Sequence, residues 1–173
     1  MSNFRAMVLI VMGVTASGKT TVGQQLAEAL GWPFYDGDDF HPDENVDKMR
    51  RGVPLTDGDR TPWLHRLHTL IRDTLARDGH AVIACSALRE SYRARLHGGL
   101  TDVRFVYLKV SRHVLQRRID ARRDHFMPPS LLDSQLRTLE EPAESLWVDG
   151  AQPPDAIVQD IRRRLQLDEP RSA

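Results

Sequence analysis

Short apolar runs alternate with amphipathic segments along this chain. Residues 6–12 form a continuous apolar run that ends at a glycine, the pattern of a strand buried on both faces of a parallel sheet. Similar runs predict further strands at residues 33–35, 80–85, 103–109 and, more weakly, 146–148. The pattern therefore predicts a sheet of five strands.

Apolar residues at helical spacing predict the elements between these strands. After Thr20 they recur every three or four residues until Gly31 supplies a C-terminal stop. Thr61 is predicted to cap the clearest helix, with Pro62 at its first position and Gly79 at its end. Further helices are predicted over residues 89–96, 113–123, 131–139 and 157–165. This alternation favours a three-layer α/β fold with helices on both faces of a parallel sheet.

The carboxyl ends of the predicted strands form the expected ligand-binding rim, because ligands bind open parallel sheets there. Residues 13–20, residues 36–41 and the stretch after Cys85 each follow a predicted strand. We therefore expect the chemistry of the protein at this rim.

Composition and charge fit one soluble domain over residues 1–173, with a disordered tail at residues 168–173. Lys+Arg and Asp+Glu number 24 each, so no global field favours binding to nucleic acid or to an acidic membrane. No apolar stretch reaches the roughly 18 residues of a membrane span. The single cysteine, Cys85, cannot form an internal disulfide, which favours a cytoplasmic location.

The most specific motif is Gly13-Val14-Thr15-Ala16-Ser17-Gly18-Lys19-Thr20, which fits G-x-x-x-x-G-K-[ST] between a predicted strand and a predicted helix. Its backbone N–H groups are expected to bind phosphates of ATP, with Lys19 at the β- and γ-phosphates and Thr20 on Mg²⁺. Thr21 completes the predicted nucleotide-binding set. The chain has only three lysines against 21 arginines, so Lys19 stands where a compact point charge is wanted.

Residues outside this motif narrow the class of P-loop protein. A GTPase should carry an Asn-Lys-x-Asp segment, which the chain lacks. A motor ATPase should end a strand in aspartate, whereas residues 80–85 run into Ser86-Ala87. Small-molecule kinases instead place acidic residues after the second strand, where Asp36-Gly37-Asp38 stands.

Several further segments match one kinase family in order along nearly the whole chain. They include Asp36-Gly37-Asp38, His41-Pro42, Lys48-Met49, Pro62-Trp63-Leu64, Cys85-Ser86-Ala87-Leu88, Tyr92-Arg93, His125-Phe126 and Ser134-Gln135. With the P-loop, they resemble the P-loop gluconate kinase family, within the shikimate and nucleoside-monophosphate kinase group. The resemblance implies a P-loop kinase fold, phosphorylation of D-gluconate by ATP and magnesium to 6-phospho-D-gluconate, and a homodimer. Arg89 departs from the family pattern, which has lysine after the Cys-Ser-Ala-Leu run.

The acidic pair after the second strand receives two roles. Asp38 is expected to orient the attacking hydroxyl, since phosphoryl transfer needs in-line positioning more than a strong base; whether it also deprotonates that hydroxyl stays open. Asp36 is expected to organise magnesium or the loop. The alternative for both is an Asx-turn around Gly37.

Five cationic or polar residues are candidates for binding the acceptor substrate. Arg60 can form a fork with a sugar-acid carboxylate, the alternative being a surface ion pair with a neighbouring aspartate. His41 is expected to donate to a substrate group, although His-Pro also begins ordinary helices. Lys48 is a second candidate, against a solvated lysine on a helix surface. The resemblance adds Arg89 and Gln135 to this set.

A mobile lid is expected over residues 122–135, where two arginines precede a proline-containing stretch. Arg118 and Arg122 are four residues apart on one predicted helical face, and by resemblance they contact the transferring phosphoryl group. The alternative is a solvated cationic face. Two rival functions remain: a related kinase with a shikimate-like or nucleotide acceptor, and a nucleotide-binding regulator without turnover.

Overall fold

The computed structural model describes residues 5–122 and 129–168. Its strands are β1 (Met7–Met12), β2 (Phe34–Asp36), β3 (His80–Ala84), β4 (Val103–Lys109) and β5 (Leu146–Asp149). Its helices are α1 (Lys19–Leu30), α2 (Asp43–Arg50), α3 (Asp57–Ala76), α4 (Glu90–His97), α5 (Arg112–Ala121), α6 (Pro129–Thr138) and α7 (Pro154–Arg164), with a 3₁₀ turn at Gly37–Phe40. Most of the segment from Asp124 to Pro129, including His125 and Phe126, lies outside the described residues.

The five strands form one parallel sheet in the order β2-β3-β1-β4-β5. The central strand β1 pairs on both sides, so that Ile10 lies between Ile83 and Phe105. Residues 8–12 have no exposed surface, as a strand covered on both faces requires. This arrangement confirms the predicted α/β fold with a five-stranded parallel sheet.

Alternate residues of β1 enter two separate apolar clusters, one on each face of the sheet. Val8 and Ile10 pack with residues of α3 and α4, whereas Leu9 and Val11 pack with residues of α1 and α7. A strand turns successive side chains to opposite faces, so both faces need a helical layer. The three-layer prediction is confirmed.

The long helix α3 begins earlier than its sequence pattern predicts. Thr56, not Thr61, is the N-cap, and it forms a capping box in which its side chain and that of Asp59 each accept a backbone N–H of the other. Pro62 lies inside the helix, where it cannot donate to the carbonyl of Gly58. The predicted cap was wrong because Pro62 was assigned to the first position, and Arg60 consequently lies within the helix and not before it.

Helix α2 was not predicted as a separate element, because its sequence is almost entirely polar. Only Asn45 among its residues is buried. The helix begins after Pro42 with Asp43 and Glu44 in its first turn and ends with Lys48 and Arg50, charges that suit the helix dipole at both ends. The placement of charges at its two ends therefore helps to stabilise this helix, which has no apolar pattern from which it could be predicted.

Three strands end at the same level and place their following loops side by side. Asp36 at the end of β2 pairs with Ala84 at the end of β3. Cys85, the next residue, donates its N–H to the carbonyl of Val11 in β1 at 3.1 Å. The loops after β1, β2 and β3 thus meet at one rim, as predicted. None of the described helices is long and apolar enough to span a membrane.

Candidate active site

The phosphate loop occupies the tight connection between β1 and α1. Gly18 adopts a left-handed conformation (φ 91°), as does the non-glycine residue Ala16 (φ 63°). A Cβ at Gly13 would lie 2.6 Å from Ser17 Oγ, so the loop can close only on a glycine. This backbone and the N-terminus of α1 form the anion cradle that the motif predicts.

Two side chains from distant helices hold the backbone of the phosphate loop. Arg118 of α5 donates from Nη1 to the carbonyls of Ala16 (3.1 Å) and Ser17 (3.2 Å), and from Nη2 to that of Gly150 (2.7 Å). Gln135 of α6 accepts the Thr15 N–H on Oε1 at 2.6 Å. Both residues organise the loop in this structure. A contact of Arg118 with phosphate, and one of Gln135 with the acceptor, stay predictions.

Lys19 lies among the charged residues that the sequence assigned to catalysis. Burial lowers the pKa of Lys19, and the carboxylates of Asp38 and Asp36 oppose that effect. The guanidinium of Arg122 lowers the pKa further. Arg122 itself is exposed at the C-terminal end of α5. Thr20, the residue after Lys19, lies 3.4 Å from Asp36 through its hydroxyl, so the fold places the predicted lysine beside the turn that carries both aspartates.

The two aspartates after β2 differ in their hydrogen bonding: the carboxylate of Asp36 is bonded within the protein, and that of Asp38 is exposed. Asp36 Oδ1 accepts the N–H of Asp38 at 3.0 Å, which is the Asx-turn alternative, and its Oδ2 accepts the Thr20 hydroxyl at 3.4 Å. Asp38 is exposed, and its carboxylate accepts no hydrogen bond from the described residues. Asp36 therefore fixes the loop against the phosphate-loop threonine, and Asp38 is left to accept from a ligand.

His41 is oriented by an aromatic stack and a buried amide. Its ring stacks on that of Trp63 with centroids 4.3 Å apart, and Nδ1 lies 3.2 Å from Nδ2 of buried Asn45. An amide nitrogen only donates, so Nδ1 accepts and the proton of the neutral ring resides on Nε2. Burial lowers the pKa of His41, and the charge of Arg60 lowers it further against the opposing effect of Asp38. His41 is thus a neutral donor near pH 7.

Lys48 is tied to the first turn of α3. Its ammonium group lies 2.9 and 3.0 Å from the two carboxylate oxygens of Asp59. The Thr56 N–H and the Lys48 ammonium lower the pKa of Asp59 to about 2. Asn45 donates to the Asp59 carbonyl at 2.8 Å, so two residues of α2 hold one residue of α3. Lys48 is thus a partly exposed lysine in an ion pair between two helices, and a contact of Lys48 with substrate stays a prediction.

Arg60 is held on the opposite side of the same turn of α3. It donates from Nη1 to the Leu55 carbonyl at 2.8 Å, and its guanidinium lies 5.5 Å from the ring centroid of Tyr92. Tyr92 donates its hydroxyl proton to Asp57 at 2.6 Å. That hydrogen bond, together with the charges of Arg89 and Arg60, lowers the pKa of Asp57. Arg60 Nη1 also lies 3.8 Å from Asp57 Oδ1, which is the ion-pair alternative for this arginine. A contact of Arg60 or Arg89 with a substrate carboxylate stays a prediction.

The loop after β3 carries Cys85 inward and Arg89 outward. Cys85 is buried, and burial raises the pKa of its thiol to about 12, so it is a neutral core residue as expected. Ala87 is left-handed (φ 45°), and its carbonyl accepts from Nη1 of the buried Arg93 at 2.7 Å. Arg89 is exposed as the N-cap residue of α4.

Sequence reasoning missed the residues that orient the candidate groups. Trp63 donates from Nε1 to the carbonyl of Gly37 at 2.7 Å and so holds the Asp36–Asp38 turn. Asn45 and Tyr92 received no role, and Asp59 was expected only as a neighbour that could fix Arg60, whereas it binds Lys48. Their partners lie 4 to 35 residues away. The capping-box pattern at Thr56 was the one local signal for Asp59.

Comparison with known proteins identifies the family. A family model for an AAA domain matches residues 8–142. The gluconokinase of Gluconobacter oxydans (strain 621H) is 44% identical over 164 residues, which cover 93% of this chain and 92% of that protein. This chain belongs to the gluconokinase family. The family's thermoresistant gluconokinase from Escherichia coli (strain K12) is 38% identical over 159 residues, or 92% of this chain and 87% of that one.

Comparison with solved structures shows that the similarity to gluconokinases includes the three-dimensional fold. A gluconokinase from Sinorhizobium meliloti 1021 superposes with a TM-score of 0.81 at 42% identity, covering 96% of this chain and 98% of that one. Shikimate kinase from Aquifex aeolicus superposes with a TM-score of 0.60 at 20% identity over 92% and 96% of the two chains, which shows the shared fold alone. The predicted resemblance to gluconate kinases is confirmed.

Proposed function

We propose that this protein transfers the γ-phosphoryl group of ATP to the terminal primary hydroxyl of D-gluconate, giving 6-phospho-D-gluconate and ADP. The observation that carries the proposal is the meeting of the phosphate loop with the Asp36–Asp38 turn at one rim, where Thr20 Oγ1 lies 3.4 Å from Asp36 Oδ2, in a chain of the gluconokinase family. Electrostatic coupling between Lys19 and Asp38 supports placing donor and acceptor within one site.

The nucleotide side supplies positive charge and backbone donors for ATP. The loop amides and the N-terminus of α1 bind phosphate oxygens, and Lys19 neutralises charge on the β- and γ-phosphates. Desolvation makes this lysine a stronger electrostatic partner for phosphate than an exposed lysine would be. Arg122 adds a second cation at the entrance, and the proposed lid would carry it onto the transferring group.

Mg²⁺ fits the residues present at the Thr20 end of the loop. Mg²⁺ in kinase sites is usually held by one or two protein oxygens, by substrate phosphates and by water. Thr20 Oγ1 and Asp36 Oδ2, 3.4 Å apart, are hard oxygen donors that would hold it directly or through water. When bound, the ion neutralises charge developing on the β- and γ-phosphate oxygens.

The acceptor side orients gluconate by charge and hydrogen bonding. Asp38 accepts the proton of the attacking hydroxyl in a hydrogen bond, which aims an oxygen lone pair at the γ-phosphorus. The Nε2–H of His41 donates to another hydroxyl group of gluconate. The substrate carboxylate binds Arg60 and Arg89, with the long 3.8 Å ion pair between Arg60 and Asp57 exchanged for a two-pronged contact to the substrate.

A coupled assay of ADP release across a panel of acceptors tests this proposal. Gluconate should stimulate ADP release strongly, whereas glucose, shikimate and nucleoside monophosphates should not. Equal stimulation by glucose would overturn the sugar-acid assignment, and no stimulation by any acceptor would favour the nucleotide-binding regulator. The homodimer and the cytoplasmic location stay predictions; sedimentation of the purified chain tests the first.

A further inference from the structure

Helix α6 lies between the two loops that the proposed reaction brings together. Leu132 on this helix is fully buried in a cluster that contains Val14 and Ala16 of the phosphate loop and Leu88 of the loop after β3. The helix therefore packs on the nucleotide side and on the acceptor side at once.

At the nucleotide side, α6 makes a polar contact through Gln135. Its Oε1 accepts the backbone N–H of Thr15 at 2.6 Å across 120 residues of sequence. The orientation of a peptide group in the phosphate loop is thereby fixed to the orientation of the helix.

At the acceptor side, the chain leaving α6 is held at Glu140 by three hydrogen bonds. Its N–H donates to the Leu88 carbonyl at 2.8 Å, its side chain accepts the Glu90 N–H at 2.8 Å, and its carbonyl accepts from Arg93 Nη2 at 2.8 Å. Arg93 is 4% exposed and also holds the left-handed Ala87. Arg89 lies directly between the two backbone positions that Glu140 contacts.

We propose that α6 couples the two substrate sites, with Gln135 and Glu140 as positioning residues at its two ends. This inference rests on the proposed function, because it takes the Arg89 loop as part of the gluconate site. Phosphates that fix the loop amides also fix Thr15, and through Gln135 they fix α6 and the backbone on both sides of Arg89. Gluconate then binds a loop that is already ordered, and by linkage it strengthens nucleotide binding by the same factor.

Calorimetric titration of gluconate with and without saturating MgADP tests the coupling. The wild-type protein should bind gluconate on the order of 10-fold more tightly with MgADP, within the usual range for coupled sites. Gln135→Met removes the acceptor oxygen and Glu140→Ala removes the side-chain acceptor at the other end. Each should bring the ratio of dissociation constants close to one, and the double variant should lose no more than either single variant.

Two further variants separate positioning from general damage. Glu140→Gln keeps an acceptor for the Glu90 N–H and should restore most of the coupling. Arg137→Ala, at an exposed position of the same helix, should leave the coupling at the wild-type ratio. Retained coupling in folded Gln135→Met and Glu140→Ala would overturn the proposal.

The wild-type protein gives a second test that needs no variant. Hydrogen exchange of the amides of residues 87–90 should slow when MgADP alone is added, although these residues belong to the acceptor side. Unchanged exchange there would overturn the coupling and leave the proposed function standing. Absence of gluconate binding under any condition would overturn both.

Discussion

The two sides of the rim are built in different ways. The nucleotide side is a continuous run of eight residues whose binding groups are mostly backbone amides, shaped by glycines and held from outside by Arg118 and Gln135. The proposed acceptor side is assembled from side chains of the segment between β2 and α2, of α2 and α3, and of the start of α4, and several of them have separate partners. A short sequence motif is therefore enough to predict the nucleotide side, whereas the acceptor side can be identified only in the folded chain.

The difference also predicts how each side responds to substitution. Replacing a side chain, other than by proline, leaves the backbone amides in place, so Lys19 is the side chain to which the nucleotide side should be most sensitive. On the acceptor side, each side chain makes a separate contribution that substitution can remove. Variants should therefore divide into those that abolish turnover and those that shift one kinetic constant.

The largest effect is expected for Lys19→Ala. The substitution removes the desolvated cation at the β- and γ-phosphates, so kcat should fall by at least about 1,000-fold while the protein stays folded. Steady-state ADP release and a melting curve measure the two properties. Lys109→Ala, which removes an exposed lysine paired with Glu141, is the matched control and should keep kcat within about 2-fold. Near-normal turnover of Lys19→Ala would break the account of the nucleotide side.

Asp38→Asn should affect the chemical step and spare nucleotide binding. An amide cannot take up the hydroxyl proton and orients the nucleophile less well, so kcat should fall by about 100- to 10,000-fold. The KM for ATP should change little, because Asp38 faces the acceptor. Asp39→Asn on the same turn is the control. If the KM for ATP rose instead of kcat falling, Asp38 would belong to the nucleotide side.

Arg60→Ala should weaken gluconate binding alone. Loss of a charge-assisted contact to the carboxylate should raise the KM for gluconate by about 10- to 100-fold, with the KM for ATP unchanged. The preference for gluconate over glucose should shrink, since glucose has no carboxylate to lose. Arg72→Ala, an exposed arginine of the same helix paired with its neighbour Asp73, should leave both constants unchanged. An unaltered KM for gluconate in Arg60→Ala would show that the substrate carboxylate does not bind Arg60.

The smallest effect concerns pH and His41. The unfolded histidine takes up its proton near pH 6.5, whereas the folded ring does so only at lower pH. Unfolding therefore takes up a proton in this range, and the free energy of unfolding decreases as pH falls below about 6.5. Thermal melting between pH 7.5 and 5.5 should show Tm falling by a few degrees.

His41→Gln tests whether this histidine causes the decrease. The slope of Tm against pH should become shallower in the variant without vanishing, because burial also lowers the pKa of His80. An unchanged slope would show that His41 titrates in the folded protein as it does in the unfolded chain.

The sequence predicted the strands well because each is a short apolar run with a clear end. All five predicted strands agree with the structure within about two residues at either end. The start of helix α3 was placed five residues late because a proline is common at the first position of a helix, and here Pro62 lies in its second turn. Helix α2 was missed since its stability rests on charge placement and on Asn45, which an apolar pattern does not register.

In the candidate site, too, some residues could be predicted from their neighbours in the sequence and others could not. The phosphate loop and Asp36-Gly37-Asp38 could be predicted from adjacent residues. Residue chemistry suggested His41, Lys48 and Arg60, and the family resemblance added Arg89 and Gln135. The groups that orient them could not be read in this way. Trp63 contacts a carbonyl 26 residues away, and Tyr92 an aspartate 35 residues away. Such pairs depend on how helices cross the sheet, which one sequence does not specify locally.

The most direct measurement of the central claim is the position of phosphate on the product. The enzyme is incubated with gluconate, ATP and magnesium, and the product is analysed by phosphorus–proton correlation NMR. We expect one phosphomonoester whose phosphorus couples to the two protons of the terminal CH₂ group, formed in step with ADP. Phosphate on a secondary hydroxyl, or release of inorganic phosphate alone, would contradict the orientation of gluconate by Asp38 and the cations of the acceptor side.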